Sequence, residues 1–227
     1  MKKVFVSLAI FIAYAATSTN TAYASLTLDQ QNYVDPNFNG TNAPITYTPA
    51  DTSASRAQTF TVGLTGSLTR LDILMYQRNS QAYARLDILK TIGGVPSNNA
   101  ADILATKYIY QVPDYPTYSS FSFNVPVYTG EQLAFVVSSL YDYSNALSII
   151  GTSNNTSTGP YTKGSFLSYA PNYISGWYLD DAIGSGHFDL AFSTYVDTTP
   201  TPIPPAFLLM GSGLIGLLGF KRSKIIS

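Results

Sequence analysis

The feature that most limits what this chain can fold into is a period of two. Phe188, Leu190, Phe192, Thr194 and Val196 alternate with His187, Asp189, Ala191, Ser193 and Tyr195. That pattern predicts a half-buried strand, because successive side chains of a strand point to opposite faces. Phe121, Phe123 and Val125 alternate with Ser120, Ser122 and Asn124 in the same way. Gln132 to Ser138 is apolar almost throughout and reads as a strand buried on both faces, entered through the turn Thr129-Gly130-Glu131. Turn clusters such as Gly93 to Asn99 and Gly151 to Pro160 separate the runs, and no stretch sustains a helical period. Short strands punctuated by Gly, Pro and Asn imply an all-β antiparallel β-sandwich, jelly-roll-like in its connections.

An internal echo refines that expectation. The string RLDIL occurs at Arg70–Leu74 and again at Arg85–Leu89. In each copy Arg and Asp share one face of a strand, while Leu71 with Ile73, or Leu86 with Ile88, share the other. A hairpin turning at Arg78-Asn79 would set Arg70 opposite Asp87 and Asp72 opposite Arg85, each pair contributing about 0.2–1 kcal/mol. The sequence therefore predicts that hairpin, with its charges structural.

The ends predict export. Met1-Lys2-Lys3 is a basic lead, Val4 to Ala16 an apolar stretch, and Ala22-Tyr23-Ala24 before Ser25 has the small-residue form of a signal peptidase site. Cleavage is expected between Ala24 and Ser25. This gives a signal peptide over Met1–Ala24, a sandwich domain over Ser25–Asp197, a Pro/Thr linker over Thr198–Thr201 and a terminal segment over Pro202–Ser227. Chemistry is constrained by what the exported part carries. Five of the twelve basic residues lie in the two ends, and all thirteen acids lie between Asp29 and Asp197, so the body has a net charge of −6. That field repels a phosphate backbone and argues against nucleic acid as partner. With no cysteine, an exported domain has neither disulfides nor thiolate ligands and must hold together by burial.

Little in the chain points to catalysis, and no catalytic residue is assigned. His187 is the only histidine, and its plain reading is a surface or turn residue, with no G-x-S-x-G nucleophile elbow to serve. Asp180 and Asp181 are adjacent, which in a strand points them to opposite faces rather than across a cleft. Asp35-Pro36-Asn37-Phe38-Asn39-Gly40 matches the first half of a calcium loop, but its twelfth position is Thr46 where a bidentate Glu is needed. It reads as an Asn/Gly loop, and no metal or cofactor is expected. The candidate binding face is Tyr169, Tyr173, Trp177 and Tyr178 with Asp180 and Asp181: flat rings beside carboxylates, the combination that stacks on sugars and bonds their hydroxyls. Core or loop packing is the competing reading of the same aromatics.

Two resemblances extend this. Pro202-Ile203-Pro204-Pro205-Ala206, the apolar run Ala206–Phe220 and the basic cluster Lys221, Arg222 and Lys224 resemble a PEP-CTERM sorting signal, with Ile203 where the family's name has glutamate. Such a tail implies processing by an exosortase-type transpeptidase at the inner membrane of a Gram-negative bacterium that makes exopolysaccharide. The apolar run would form a short transmembrane helix of about 22 Å against a hydrocarbon core of about 30 Å, with its basic end cytoplasmic. The body, through Gln58–Gly63, Gly66–Leu71, Thr91–Pro96 with Leu104-Ala105, and Asp189–Val196, resembles a loosely characterised β-sandwich domain of exported bacterial proteins. That resemblance brings no catalytic residues. Together these imply a non-enzymatic surface or matrix protein associated with exopolysaccharide and biofilm, with a lectin-like module for exopolysaccharide as the alternative.

Overall fold

The structure, a computed structural model, describes residues 26–37, 45–47, 55–77, 84–139, 147–153, 160–169, 176–179 and 188–198. The chain divides into two units, Ser25–Thr198 and a second made of Met1–Ala24 with Thr199–Ser227. The second unit, and with it the signal peptide, the linker after Thr198 and the terminal segment, lies outside the described residues. No described helix is long and apolar enough to cross a membrane.

The described part of the first unit is all-β. Its strands are β1 (Leu26–Asn32), β2 (Ile45–Tyr47), β3 (Ser55–Thr61), β4 (Gly66–Gln77), β5 (Ala84–Ile92), β6 (Val95–Pro96) and β7 (Ile103–Ile109). They continue as β8 (Thr117–Val127), β9 (Gln132–Ser139), β10 (Leu147–Ser153), β11 (Phe166–Tyr169), β12 (Trp177–Tyr178), β13 (Phe188–Leu190) and β14 (Phe192–Asp197). One antiparallel sheet has the order β1-β14-β4-β10-β13, with β8 also paired to β4 and β2 to β10. The other runs β12-β11-β3-β9-β5-β6, with β7 also paired to β5.

The period-two reading holds on β8. On β8, Phe123, Val125 and Val127 are buried in the core while Ser120, Ser122 and Asn124 are exposed. Leu133 to Val137 on β9 are all buried, as expected of a central strand, here between β3 and β5. The turn at Gly130 has φ +86, and the Glu131 N–H donates to the Tyr128 carbonyl. Gly93 and Gly94, both at positive φ, make the tight turn between β5 and β6, where a side chain would be strained.

The RLDIL hairpin does not form. Its first copy lies in β4 and pairs with β8, β14 and β10; its second lies in β5 and pairs with β9 and β7. The copies are in different sheets. Leu71, Ile73, Leu86 and Ile88 meet in the one central core. Each arginine forms its ion pair within its own strand, Arg70 with Asp72 and Arg85 with Asp87, both at 2.9 Å, and the neighbouring strands add Tyr195 beneath Arg70 and the Thr106 hydroxyl on Asp87. The last leucine of each copy also has a parallel fate. Leu74 is buried on the outer side of its sheet with Val34, Ile150 and Ala191, and Leu89 on the outer side of the other with Ala57, Val136 and Leu167.

The final run also departs from expectation. It breaks at Ala191, whose N–H and carbonyl bond to Ile150 and Leu74, and the break divides it into β13 and β14. Asp189, expected on a solvent face, is 1% exposed. Gln58 of β3, in the opposite sheet, accounts for this: its Nε2 donates to Asp189 Oδ1 at 2.8 Å and its Oε1 accepts from the Leu190 N–H at 2.8 Å. The Tyr161 N–H donates to the second carboxylate oxygen at 3.0 Å. A buried charge is tolerated only when paired or hydrogen-bonded, and this one is bonded through both oxygens.

Replacing Gln58 by leucine should therefore cost about 3 kcal/mol in urea denaturation, since it takes a partner from a buried carboxylate and another from a buried N–H. An unchanged denaturation midpoint would show the clamp to be dispensable.

Candidate functional site

The structure brings together only part of the aromatic segment. Tyr169 and Trp177 face each other across β11 and β12, with ring centroids 5.3 Å apart. Tyr178 pairs with Ser168, one step along, so strand alternation puts it on the opposite face from Trp177. Tyr173, Asp180 and Asp181 lie outside the described residues, as does His187. Trp177 is half-buried and leans, with Val95 and Ile103, on the outer cluster of Ala57, Leu89, Val136 and Leu167. Its indole N–H donates to Asn98 Oδ1 at 3.2 Å. Much of this tryptophan's surface is used in covering the sheet.

A different aromatic is displayed on the outer face of the other sheet. Cross-strand rows there run Leu28, Tyr195, Arg70, Ser122 and then Gln31, Ser193, Asp72, Ser120. Beyond them, Tyr118 opens β8 beside Leu74. Its phenol oxygen accepts from the Val34 N–H at 2.8 Å and donates to the Val34 carbonyl at 3.1 Å. Burial, opposed by that backbone bond, pushes the Tyr118 hydroxyl up to about 12, so it stays a neutral donor. The two bonds fix the segment after β1, and Tyr33 stacks on Tyr118 with centroids 5.6 Å apart and planes 10° from parallel. Tyr33 is nevertheless 60% exposed. Tyr195 on the same sheet is not open in this way, because the Arg70 guanidinium lies 3.8 Å over its ring.

The sequence gives little signal at Tyr33, because its neighbours Asp35 to Gly40 read as an Asn/Gly loop. In the structure Asp35 accepts from the Asn37 N–H at 2.9 Å, an ordinary Asx turn. Phe38, Asn39 and Gly40 lie outside the described residues. Among the described residues no three acids or histidines converge as a metal set would.

At the other end of β1 is a polar recess of about 300 Å³, lined by Asp29, Gln30, Gln31, Pro160, Tyr161, Thr162 and Lys163. The register of β1 against β14 slips between Leu28 and Gln30, so Asp29 falls outside the ladder. Such a bulge re-aims a side chain. Here it delivers Asp29 Oδ1 to the Gly63 N–H at 2.9 Å. Gly63 is needed for that approach, since a Cβ there would sit 2.7 Å from Gln30 Nε2 and 2.9 Å from Asp29 Oδ1. Gln30 is held in turn by the Tyr161 hydroxyl, which donates to its Oε1 at 2.9 Å. Burial raises the Tyr161 hydroxyl. Asp29 Oδ2 is buried without a hydrogen-bond partner.

Burial raises the Asp29 carboxyl above its ordinary 3.8, against the lowering effect of its bonds to Gly63, Gln30 and Leu64. The folded state therefore holds the Asp29 proton to higher pH than the unfolded state does. Its contribution to stability is full below 3.8 and is lost as pH rises through the raised value. Subtracting the pH–Tm curve of Asp29→Asn from that of the natural protein should leave a difference that falls with rising pH just above 3.8 and then levels. A flat difference would contradict the burial assigned to this carboxylate.

No protein-family model matches this chain, and no curated protein matches it. Among solved structures it is similar to the CBM36-1 domain of a multidomain xylanase from the hindgut metagenome of Trinervitermes trinervoides, at 16% identity over 56% of this chain and 86% of that one. The TM-score is 0.22, so the backbones do not superpose as a common fold and the likeness carries no functional weight.

Proposed function

We propose that this chain is an exported, non-enzymatic protein of the bacterial surface or matrix whose jelly-roll-like sandwich binds exopolysaccharide. The observation that carries the binding reading is Tyr33: an exposed ring, held flat against Tyr118, whose phenol is bonded at both lone pair and proton. A ring already fixed loses little freedom when a sugar stacks on it, and Asp35 and Asn37 follow within the same turn to meet hydroxyls. Trp177 serves this purpose less well, since the sheet beneath it and Asn98 already engage it.

Export and sorting belong to the same reading. The A-x-A site at Ala24 directs signal peptidase, and the segment Pro202–Ala206 with its short apolar helix and basic end holds the chain in the inner membrane for an exosortase-type transpeptidase. The apolar run is short for a permanent anchor and carries four glycines, which suits a segment that is removed.

In affinity electrophoresis through exopolysaccharide, Tyr33→Ala should weaken retardation about fivefold to tenfold, the scale of one lost aromatic contact, while Trp177→Phe should leave it unchanged. Equal retardation of the natural protein and Tyr33→Ala would remove the platform. Intact-mass analysis of protein secreted by an exosortase-bearing Gram-negative host should give a chain starting at Ser25 and ending between Pro202 and Ala206. A mature chain that retains Lys221–Ser227 would refute the processing.

A further inference from the structure

The outer face of the β12-β11-β3-β9-β5 sheet carries a row of side chains that the core does not use. Leu86 of β5, Val137 of β9 and Phe60 of β3 point into the core, so the residues that alternate with them face away from it. One row of those alternates runs across the sheet: Tyr108 on β7, Arg85 on β5, Ser138 on β9, Ser55 on β3 and Tyr169 on β11. At one end Tyr108 and Tyr110 are both more than half exposed, with ring centroids 6.2 Å apart. At the other end Tyr169 is backed by Trp177, centroids 5.3 Å apart. Strand spacing puts about 19 Å between the two ends. The middle is low and polar. Ser55 and Ser138 are half-buried with their hydroxyl oxygens 2.7 Å apart, so one donates to the other and the pair keeps one hydroxyl proton beyond that bond. Between them and Tyr108, the Arg85 side chain is 35% exposed and bonds Asp87 through Nε, which leaves the fork of Nη1 and Nη2 outside that pair.

The order of these groups selects the ligand. A protein partner is gripped by apolar anchors at the centre of the contact with polar groups at its rim, whereas here polar groups hold the centre and rings the ends. A polyanion would find Arg85 already paired with Asp87, in a segment Ser25–Asp197 of net charge −6. A neutral saccharide matches both parts. The apolar face of a sugar ring stacks on tyrosine, and adjacent hydroxyl oxygens accept from the two Nη atoms of one guanidinium or exchange bonds with serine hydroxyls. We infer that the row from Tyr108 through Arg85, Ser138 and Ser55 to Tyr169 is a second binding face, for a run of uncharged sugar residues laid across the strands. This rests on the polysaccharide reading above and adds to it, because Tyr33 stacks on Tyr118 at the outer face of the opposite sheet. The two faces point away from each other, so one domain holds two polymer chains at once and cross-links them.

The test is a glycan array of neutral and uronic-acid oligosaccharides probed with the natural full chain and with Tyr108→Ala, Tyr110→Ala, Arg85→Lys and Tyr33→Ala. The tyrosines are exposed and lysine keeps a cation beside Asp87, so the variants are expected to keep the natural Tm, which is measured alongside. The expected result is binding to neutral glycans, weakened about fivefold to tenfold by Tyr108→Ala and about threefold by Arg85→Lys, the scales of one aromatic contact and one hydrogen bond. If Tyr33→Ala weakens binding and the Tyr108, Tyr110 and Arg85 variants bind as the natural protein does, the second face is overturned and the Tyr33 platform stands. If those three weaken binding and Tyr33→Ala does not, the platform falls and the second face stands. Binding confined to uronic-acid glycans overturns the neutral assignment, and no binding to any glycan overturns both faces. Mixed with the neutral polymer whose fragments bind best, the natural protein should raise the viscosity, and either Tyr33→Ala or Tyr108→Ala should abolish the rise. No rise, or a rise that survives either substitution, overturns the cross-linking.

Discussion

The bond pair between Gln58 and Asp189-Leu190 is what the rest of the structure is referred to. Apolar burial holds the two sheets together but is non-directional, so it leaves the position of one sheet over the other weakly specified. A chain without cysteine has no disulfide to fix it. Gln58 fixes it with both ends of one amide, donating to the Asp189 carboxylate and accepting from the Leu190 N–H. A slip of either sheet would strand a buried charge and a buried N–H at once, a cost far larger than that of sliding leucine past isoleucine. Phe192 then packs from its sheet against Phe60 and Phe135 of the other, and Phe188 against Phe166. The polar clamp and the aromatic contacts thus specify the same alignment.

The clamp also reaches the surface. Asp189 bonds the Tyr161 N–H, the Tyr161 hydroxyl bonds Gln30, and the Gln30 N–H donates to the Thr194 hydroxyl at 3.0 Å. Asn32 completes the tie by donating to the Leu190 carbonyl at 2.8 Å. Among the described residues strand β1 is an edge strand, paired by β14 on one side, and edges fray. Buried side chains at Gln30 and Asn32 hold this one from within, which leaves Gln31 and Tyr33 exposed in fixed positions. A binding edge is possible here because its alternate residues are anchored.

How far the sequence could be read depends on which signal each residue carried. The alternation on β8 and the continuous run of β9 are face signals, and both translate directly into burial. Pairing is harder, because complementary charges at Arg70, Asp72, Arg85 and Asp87 suit a hairpin and suit ion pairs within each strand equally well. The second arrangement won because it lets both Leu/Ile faces enter one core from opposite sheets. Asp189 was misplaced for a related reason: alternation marks a polar residue as outward and cannot foresee a glutamine over a hundred positions away. At the candidate site, Trp177 carried a strong aromatic signal and is largely engaged in packing, while Tyr33 carried a weak one and is displayed. Exposure of a ring is decided by what the fold sets beneath it, here Tyr118, and a single sequence does not contain that neighbour relation.

The charge of the body bears on how such a surface would work. With a net of −6, the segment Ser25–Asp197 gains no Coulombic attraction to an uncharged polymer and is repelled by an acidic one. Affinity must then come from stacking and from hydrogen bonds made in competition with water, each worth about 1 kcal/mol. Contacts of that size give a weak site, and a weak site becomes a firm attachment only when many copies engage one polymer. A chain proposed to be sorted by a membrane-held tail and displayed at a surface or in a matrix would be concentrated in the manner that such a site requires. The proposed platform and the proposed sorting signal therefore fit one arrangement, in which delivery would supply the avidity that the binding face lacks.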